Sequence, residues 1–130
     1  MTGRLKLALG AVLAAALLAP AVAAPRLSPE ARLDKAIGDR VPGKPVSCIN
    51  LRDIQSSEII DKTAIVYRVG SKLYVNRPHG ANWLDDDDIL VTKTVTGQLC
   101  RIDTVTLIDR TSRFQRGFVT LADFVPYTRR

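Results

Sequence analysis

The chain has 130 residues, 46% of them hydrophobic, and 19 Lys and Arg against 13 Asp and Glu give a net charge of +6. This length and apolar content predict one ordinary domain and exclude a disordered polyelectrolyte. One His and two Cys exclude a four-ligand zinc site of Cys and His, and no phosphate-loop, dinucleotide-binding or zinc-protease motif occurs.

The N-terminus has the pattern of an export signal. Arg4 and Lys6 precede the apolar stretch Leu7–Ala19, whose helix would rise about 20 Å and be too short for a hydrocarbon core of about 30 Å. Residues 21–23 supply a small-x-small cleavage pattern. We therefore predict a signal peptide at 1–23 and export by the general secretion pathway to the periplasm or the outside of a bacterium. The alternative is an uncleaved membrane anchor.

Cleavage would remove two positive charges and leave a mild basic bias, so nucleic acid is not expected as a partner. No membrane span is expected after cleavage. Cys48 and Cys100 are the only cysteines, and an even number in an oxidising compartment predicts one structural disulfide. The alternative, a redox-active pair, usually has the spacing CxxC, which these residues lack.

One short helix is predicted after the signal. Ser28-Pro29-Glu30 supplies a capping hydroxyl, a proline at the first helical position and an acid near the positive end of the helix. Leu33 and Ile37 share one face, and Gly38 ends the helix. The Pro- and Gly-containing segment 41–45 is predicted to be a connector.

From Cys48 onward the apolar period is two, which is typical of strands. A Gly70-Ser71 turn between two alternating segments predicts a hairpin of strands 64–69 and 72–76. The other predicted strands are Ser56–Ile60, Ile89–Thr96, Arg101–Ile108 and a weaker final strand or edge segment at Phe118–Val125.

Sequential strands joined by short turns favour an antiparallel β-meander that curls into a small barrel or sandwich. The predicted fold class is therefore mainly β, with one short N-terminal helix and one disulfide. We assign residues 24–45 to the helix and connector and residues 46–130 to a compact β domain.

Several short segments resemble a family of small exported proteobacterial proteins that is classed as a domain of unknown function. The resemblance covers roughly residues 46–126 and is carried by Cys48–Ile54, Ile59–Asp61, Leu73–Arg77, Gln98–Cys100 and Asp103–Val105. It implies export, the disulfide and a compact β domain, and it implies no activity. Many relatives have further cysteines, which this chain lacks, so the resemblance is to a two-cysteine subgroup.

The most unusual local feature is an acidic run, Asp85, Asp86, Asp87 and Asp88. Calcium suits carboxylate-rich loops, so the run is a weak calcium candidate. It lacks the alternating ligands, the Gly and the distant Glu of an EF-hand loop, and no defined metal site is predicted. The alternative is a solvated turn that blunts a sheet edge.

Arg110, Arg113 and Arg116 are interleaved with Phe114 and Phe118. Arginines can hold anionic groups by bidentate and stacking contacts, so the three are a candidate surface for an anionic envelope component or an acidic protein. The alternative is a solubilising loop, or a surface whose positive charge compensates the acidic run. A meander gives no reason for the two charged clusters to meet, so we expect them to lie apart and make the domain dipolar.

Two further residues, His79 and Asp103, have side chains of the kinds that act in catalysis. A general base such as His79 needs an orienting partner and a nucleophile, and no sequence signature supplies them. Asp103 begins an Asp-Thr-Val segment that lacks the Gly of the aspartic-protease Asp-Thr-Gly motif. We therefore predict a solvated loop histidine, a structural aspartate, no catalytic residue and no cofactor.

Together these features predict a small exported protein that binds or interacts without catalysing a reaction, with an unknown ligand. The alternatives are a structural envelope or stress-related protein without a specific ligand, or a weak calcium-binding module. An exposed apolar patch or a basic face would favour the interaction module. A cleft with convergent polar groups would favour an enzyme.

Overall fold

A computed structural model describes residues 25–130, together with the isolated positions 3, 10, 14, 15, 17, 18 and 20. The predicted signal peptide, residues 1–23, lies outside the described residues apart from those positions. Residues 25–130 form a mainly β fold with one α-helix, antiparallel sheets and no closed barrel, which confirms the predicted fold class.

The helix, α1, spans Pro29–Ile37. The strands are β1 Val41–Pro42, β2 Cys48–Asn50, β3 Ser56–Ile60, β4 Ala64–Val69, β5 Lys72–Asn76, β6 Asp88–Thr92, β7 Gln98–Cys100, β8 Thr104–Asp109, β9 Gln115–Thr120 and β10 Phe124–Thr128. Single turns of 3-10 helix lie at Leu51–Asp53 and Ala81–Trp83.

The helix begins and ends as predicted. The Ser28 hydroxyl accepts a hydrogen bond of 3.2 Å from the Ala31 N–H, which satisfies one of the free donors of the first turn. Gly38 follows with φ at +67°, a conformation that glycine adopts without steric cost. Leu33 and Ile37 are buried against residues of the neighbouring sheet, so the short helix is held by packing.

The strands form three antiparallel sheets, ordered β1-β10-β5-β4-β3, β6-β8-β9 and β2-β7. The predicted hairpin of β4 and β5 is confirmed, and it turns at Gly70 with φ at +60°. The predicted meander holds for β3-β4-β5 and for β8-β9. The remaining pairings join strands that are not consecutive in the sequence, because the chain crosses between sheets.

Both faces of the five-stranded sheet are covered, so the four consecutive residues of 64–67 are all buried. Ala64 and Val66 pack in a cluster with α1. Ile65 and Tyr67 pack on the other face, in a second cluster that includes the core residues of both smaller sheets. The domain therefore has a helix on one side of its main sheet and the two smaller sheets on the other.

Cys48 and Cys100 lie directly opposite each other on β2 and β7 and form the predicted disulfide, with their Cα atoms 4.0 Å apart. The Arg101 N–H donates to the Ser47 carbonyl at 2.8 Å. Ser47 and Arg101, which flank the two cysteines, therefore make the main-chain hydrogen bond beside the disulfide. The Cys100 N–H donates instead to Oδ2 of Asp103 at 2.7 Å. Asp103 thus closes the turn after β7, a structural role.

Several predicted strand boundaries are wrong. The strand predicted at Ile89–Thr96 is β6 and already ends at Thr92. The strand predicted at Arg101–Ile108 is β8, which begins after the turn that Asp103 closes. The final strand predicted at Phe118–Val125 is two strands in different sheets, β9 and β10. Part of the predicted connector forms β1, because it pairs with β10.

The crossover from β9 to β10 is held by one buried side chain. Asn76, at the end of β5, is fully buried. Its Nδ2 donates to the Ala122 carbonyl at 2.7 Å, and its Oδ1 accepts from the Ala122 N–H at 3.0 Å. The amide thereby satisfies a backbone donor and acceptor that have no strand partner, as buried polar groups require.

Replacing Tyr67 by Phe is expected to raise the free energy of unfolding by about 1 kcal/mol. Tyr67 packs edge-on against Phe124 with ring centroids 5.8 Å apart, and its Oη has no hydrogen-bond partner among the described residues. Burial raises the pKa of this phenol well above its ordinary value. Urea unfolding measures the effect. A loss of stability in Tyr67→Phe would mean that the hydroxyl is bonded to a buried water.

Candidate functional site

The structure brings the acidic and basic clusters together. Asp88 stands at the start of β6 with only 3% of its side chain exposed. Nε of Arg116, on β9, donates to Oδ1 of Asp88 at 3.0 Å, and its Nη2 donates to the Trp83 carbonyl at 3.1 Å. Hydrogen bonding to Asp88 raises the pKa of the Arg116 guanidinium. Arg116 therefore holds a buried carboxylate rather than presenting a free charge.

Two further ion pairs extend this arrangement. Nε of Arg110 lies 3.5 Å from Oδ1 of Asp87, and Nη1 of Arg32, on α1, lies 3.0 Å from Oδ2 of Asp86. Both pairs are exposed, so each contributes at most about 1 kcal/mol. The expectation that the two clusters lie apart is wrong. Because β6 pairs with β8, and β8 with β9, the register carries the acidic run to the arginine strand.

Arg113 is the arginine of the candidate surface that makes no ion pair within residues 25–130. It lies in the turn between β8 and β9 with φ at +65°. The Asp109 carboxylate supports this turn by accepting from the N–H groups of Thr111 and Ser112 at 2.9 and 2.7 Å. The Ser112 N–H holds the pKa of Asp109 below its ordinary value. An anionic partner at these arginines stays a prediction.

These contacts divide the four aspartates of the calcium candidate into two pairs. Asp87 and Asp88 are engaged by arginines, whereas Asp85 and Asp86 lie near Asp61, and these three carboxylates each place an oxygen within 4.8 Å of the others. Asp86 is also paired with Arg32. Calcium takes six to eight oxygen ligands, so three carboxylates would form only part of a site. Calcium binding stays a prediction.

An exposed aromatic pocket lies beside Arg116. Trp83 ends the second 3-10 turn and Phe118 lies on β9, and 55% and 59% of their surfaces are exposed. A Cβ at Gly80 would lie 3.6 Å from Cδ1 of Trp83, and one at Gly117 would lie 3.8 Å from Cε3. The indole therefore lies against two residues without side chains.

The residues that line this aromatic pocket, of about 480 Å³, are His79, Gly80, Trp83, Arg116, Gly117, Phe118 and Thr120. His79 is exposed, as predicted, and its backbone bridges to Thr120 with an N–H···O distance of 2.8 Å. Trp83 is not among the predicted site residues, because nothing near it in sequence shows that β9 passes beneath the indole.

No family model, no curated protein and no solved structure matches this chain. The resemblance to a family of exported proteins therefore stays a prediction.

The disulfide indicates an oxidising, non-cytoplasmic location, because thiols in the cytosol are kept reduced. Among the described residues, no helix has the length and apolar content needed to cross a bilayer.

Proposed function

We propose that the protein is a non-catalytic interaction module that is exported through the general secretion pathway to the periplasm or the cell exterior. The N-terminal pattern of a positive segment, an apolar stretch and a small-x-small site supports export. The disulfide between Cys48 and Cys100 agrees with such a destination.

The observation that carries the proposed interaction is the aromatic pocket. Trp83 and Phe118 are both exposed and line the same pocket. Exposed apolar patches mark interaction sites, and Trp is among the residues most enriched at the energetic centres of interfaces. Burying Trp83 and Phe118 against a partner would remove their apolar surface from water, which is the dominant driving force of most association.

The charges around the pocket indicate the chemistry of the partner. Asp88 neutralises Arg116, and the Trp83 carbonyl occupies one more of its donors. The pocket therefore presents aromatic faces and backbone rather than a free charge. We propose that it takes an apolar or aromatic group of an envelope component, with the exposed edge of Arg116 at its rim.

Replacing Trp83 and Phe118 together by Ala is expected to reduce retention of the purified protein on envelope fractions about tenfold, the effect of losing about 1.4 kcal/mol. Cosedimentation at low and high salt measures retention. Because the contact is apolar, retention of the unaltered protein is not expected to weaken with salt. Phe114→Ala and Ile102→Ala are matched controls, since both side chains are more exposed than those of the pocket.

Trp83 is the only tryptophan, so its fluorescence reports directly on the pocket. A bound partner is expected to shift the emission to shorter wavelength as the indole leaves water. Retention that falls with salt and depends on Arg113 would favour the anionic partner instead. Retention that is unchanged in the double variant would reject the pocket and favour a structural protein without a specific ligand.

A further inference from the structure

Among the described residues, two strand edges that lack a neighbouring strand line the same groove. β3 is the outer strand of the five-stranded sheet, and β6 is the outer strand of the three-stranded sheet. Both strands line a groove of about 910 Å³, and α1 forms a third wall. The groove is separate from the aromatic pocket beside β9, and no residue lines both.

The register shows which backbone groups of β3 point into the groove. Antiparallel partners alternate between pairs that exchange hydrogen bonds and pairs whose N–H and C=O groups point away. The hairpin closes where the Thr63 N–H donates to the Ile60 carbonyl at 3.0 Å, so Ile60 faces β4. Ser57 and Ile59 therefore turn their N–H and C=O groups outward, and no turn, loop or cap hydrogen bond within the described chain uses either N–H.

β6, on the opposite wall of the groove, also turns backbone groups outward. The Asp88 N–H donates to the Asp85 carbonyl at 3.0 Å rather than to β8, and Leu90, two residues along the strand, has the same orientation. Unpaired edges of this length are templates for pairing with another chain. By contrast, the backbone of Thr120 at the end of β9 is already bridged to His79, and the edge strand β1 has only two residues.

Most charges around the groove are already compensated. Arg32 is paired with Asp86, Arg110 with Asp87, and Asp88 is held by Arg116. Lys35 and Glu58 make no ion pair among the residues that the structure describes, and their charges are opposite. The groove therefore has no net charge to attract a small ion. The groups in it that lack a partner among the described residues are mainly backbone N–H and C=O groups of the strand edges.

We propose that this groove binds an extended segment of a partner polypeptide, which adds as a further strand to the free edge of β3. The N–H and C=O groups of Ser57 and Ile59 would pair with its main chain. The exposed side chain of Leu27 and the half-buried side chains of Ile89 and Leu90 offer contacts for its apolar residues. Main-chain hydrogen bonds would supply affinity, and contacts with these side chains would supply a preference for particular residues in the segment.

Hydrogen exchange measured by NMR tests the proposal with a defined probe, a short soluble peptide of alternating Val and Thr. The peptide is expected to slow exchange of the Ser57 and Ile59 N–H groups about tenfold. Exchange at Glu58, whose N–H faces β4, should not change. The control peptide has the same sequence with alternate residues N-methylated, so it cannot form a full ladder, and it should have no effect.

A matched pair of variants then isolates the main chain. Ser57→Pro removes an N–H that the β3–β4 ladder does not use, and it is expected to weaken peptide binding about tenfold. Ser57→Ala keeps that N–H and should bind like the unaltered protein. Thermal unfolding checks that Ser57→Pro is folded. If it is not, Ala36→Trp, which fills the groove from the helix, should weaken binding to a similar extent.

Three outcomes would overturn the proposal. One is an unchanged exchange rate of the Ser57 and Ile59 N–H groups at the highest soluble concentration of the peptide. Another is protection at Leu90 alone, which would place the strand on β6. The third is protection that rises with protein concentration without peptide, since the occupant would then be a second copy of this chain. None of these depends on Trp83 or Phe118, so the test is independent of the proposed function.

Discussion

Replacing Cys48 and Cys100 together by Ser is expected to lower the free energy of unfolding by about 4 kcal/mol. The disulfide closes a loop with a sequence separation of 52, which restricts the unfolded chain. It also fastens the two-stranded sheet of β2 and β7, which contributes Ile49 and Leu99 to the core. For a domain of this size, the loss is a large part of total stability.

Guanidinium unfolding of the oxidised protein, the reduced protein and the double variant measures this effect. Reduction and substitution should give similar losses, and the denaturant dependence should become steeper because the open chain exposes more surface when unfolded. The aromatic pocket offers a check on structure, since Trp83 fluorescence should be unchanged before unfolding. A loss below about 1 kcal/mol would contradict a structural role for this bond.

The local elements were predictable because their signals lie within a few residues. The cap at Ser28 and the stop at Gly38 determine the ends of α1, and the Gly70-Ser71 turn determines the β4–β5 hairpin. The disulfide was also predictable, since only two cysteines exist. Each of these needs no knowledge of how distant segments meet.

The long-range pairings were not predictable from periodicity. A strand pattern shows which face is apolar but does not show which strand pairs with it. The crossover from β9 to β10 was therefore predicted as one strand. Asn76 fixes that crossover from a position 46 residues before Ala122. The burial of all four residues of 64–67 likewise depends on the helix and on the second layer of sheets.

The candidate site shows the same limit. The charged residues were recognised from their runs, but the distance between the runs depends on the β6-β8-β9 register. The aromatic pocket needs Trp83 to meet Gly117, and the groove needs two strand edges from different sheets. Such sites consist of residues that only the tertiary structure brings together.

Replacing Arg116 by Met is expected to lower the free energy of unfolding by about 3 kcal/mol. The substitution keeps much of the length of the apolar stem and removes the charge. It would leave the buried carboxylate of Asp88 without its cation and the Trp83 carbonyl without its donor. A buried charge that loses its partner retains its desolvation cost without compensation.

The double variant Asp88→Asn with Arg116→Met isolates the charge, because neither charge remains. It is expected to recover most of the loss, so the two substitutions should be strongly non-additive in a double-mutant cycle. Arg32→Met is the matched control, since its partner Asp86 is exposed, and its cost should stay within about 1 kcal/mol. If Arg116→Met costs no more than Arg32→Met, Asp88 must be reached by water in solution. The pocket rim would then carry a free arginine after all, and an anionic partner would become the better proposal for this surface.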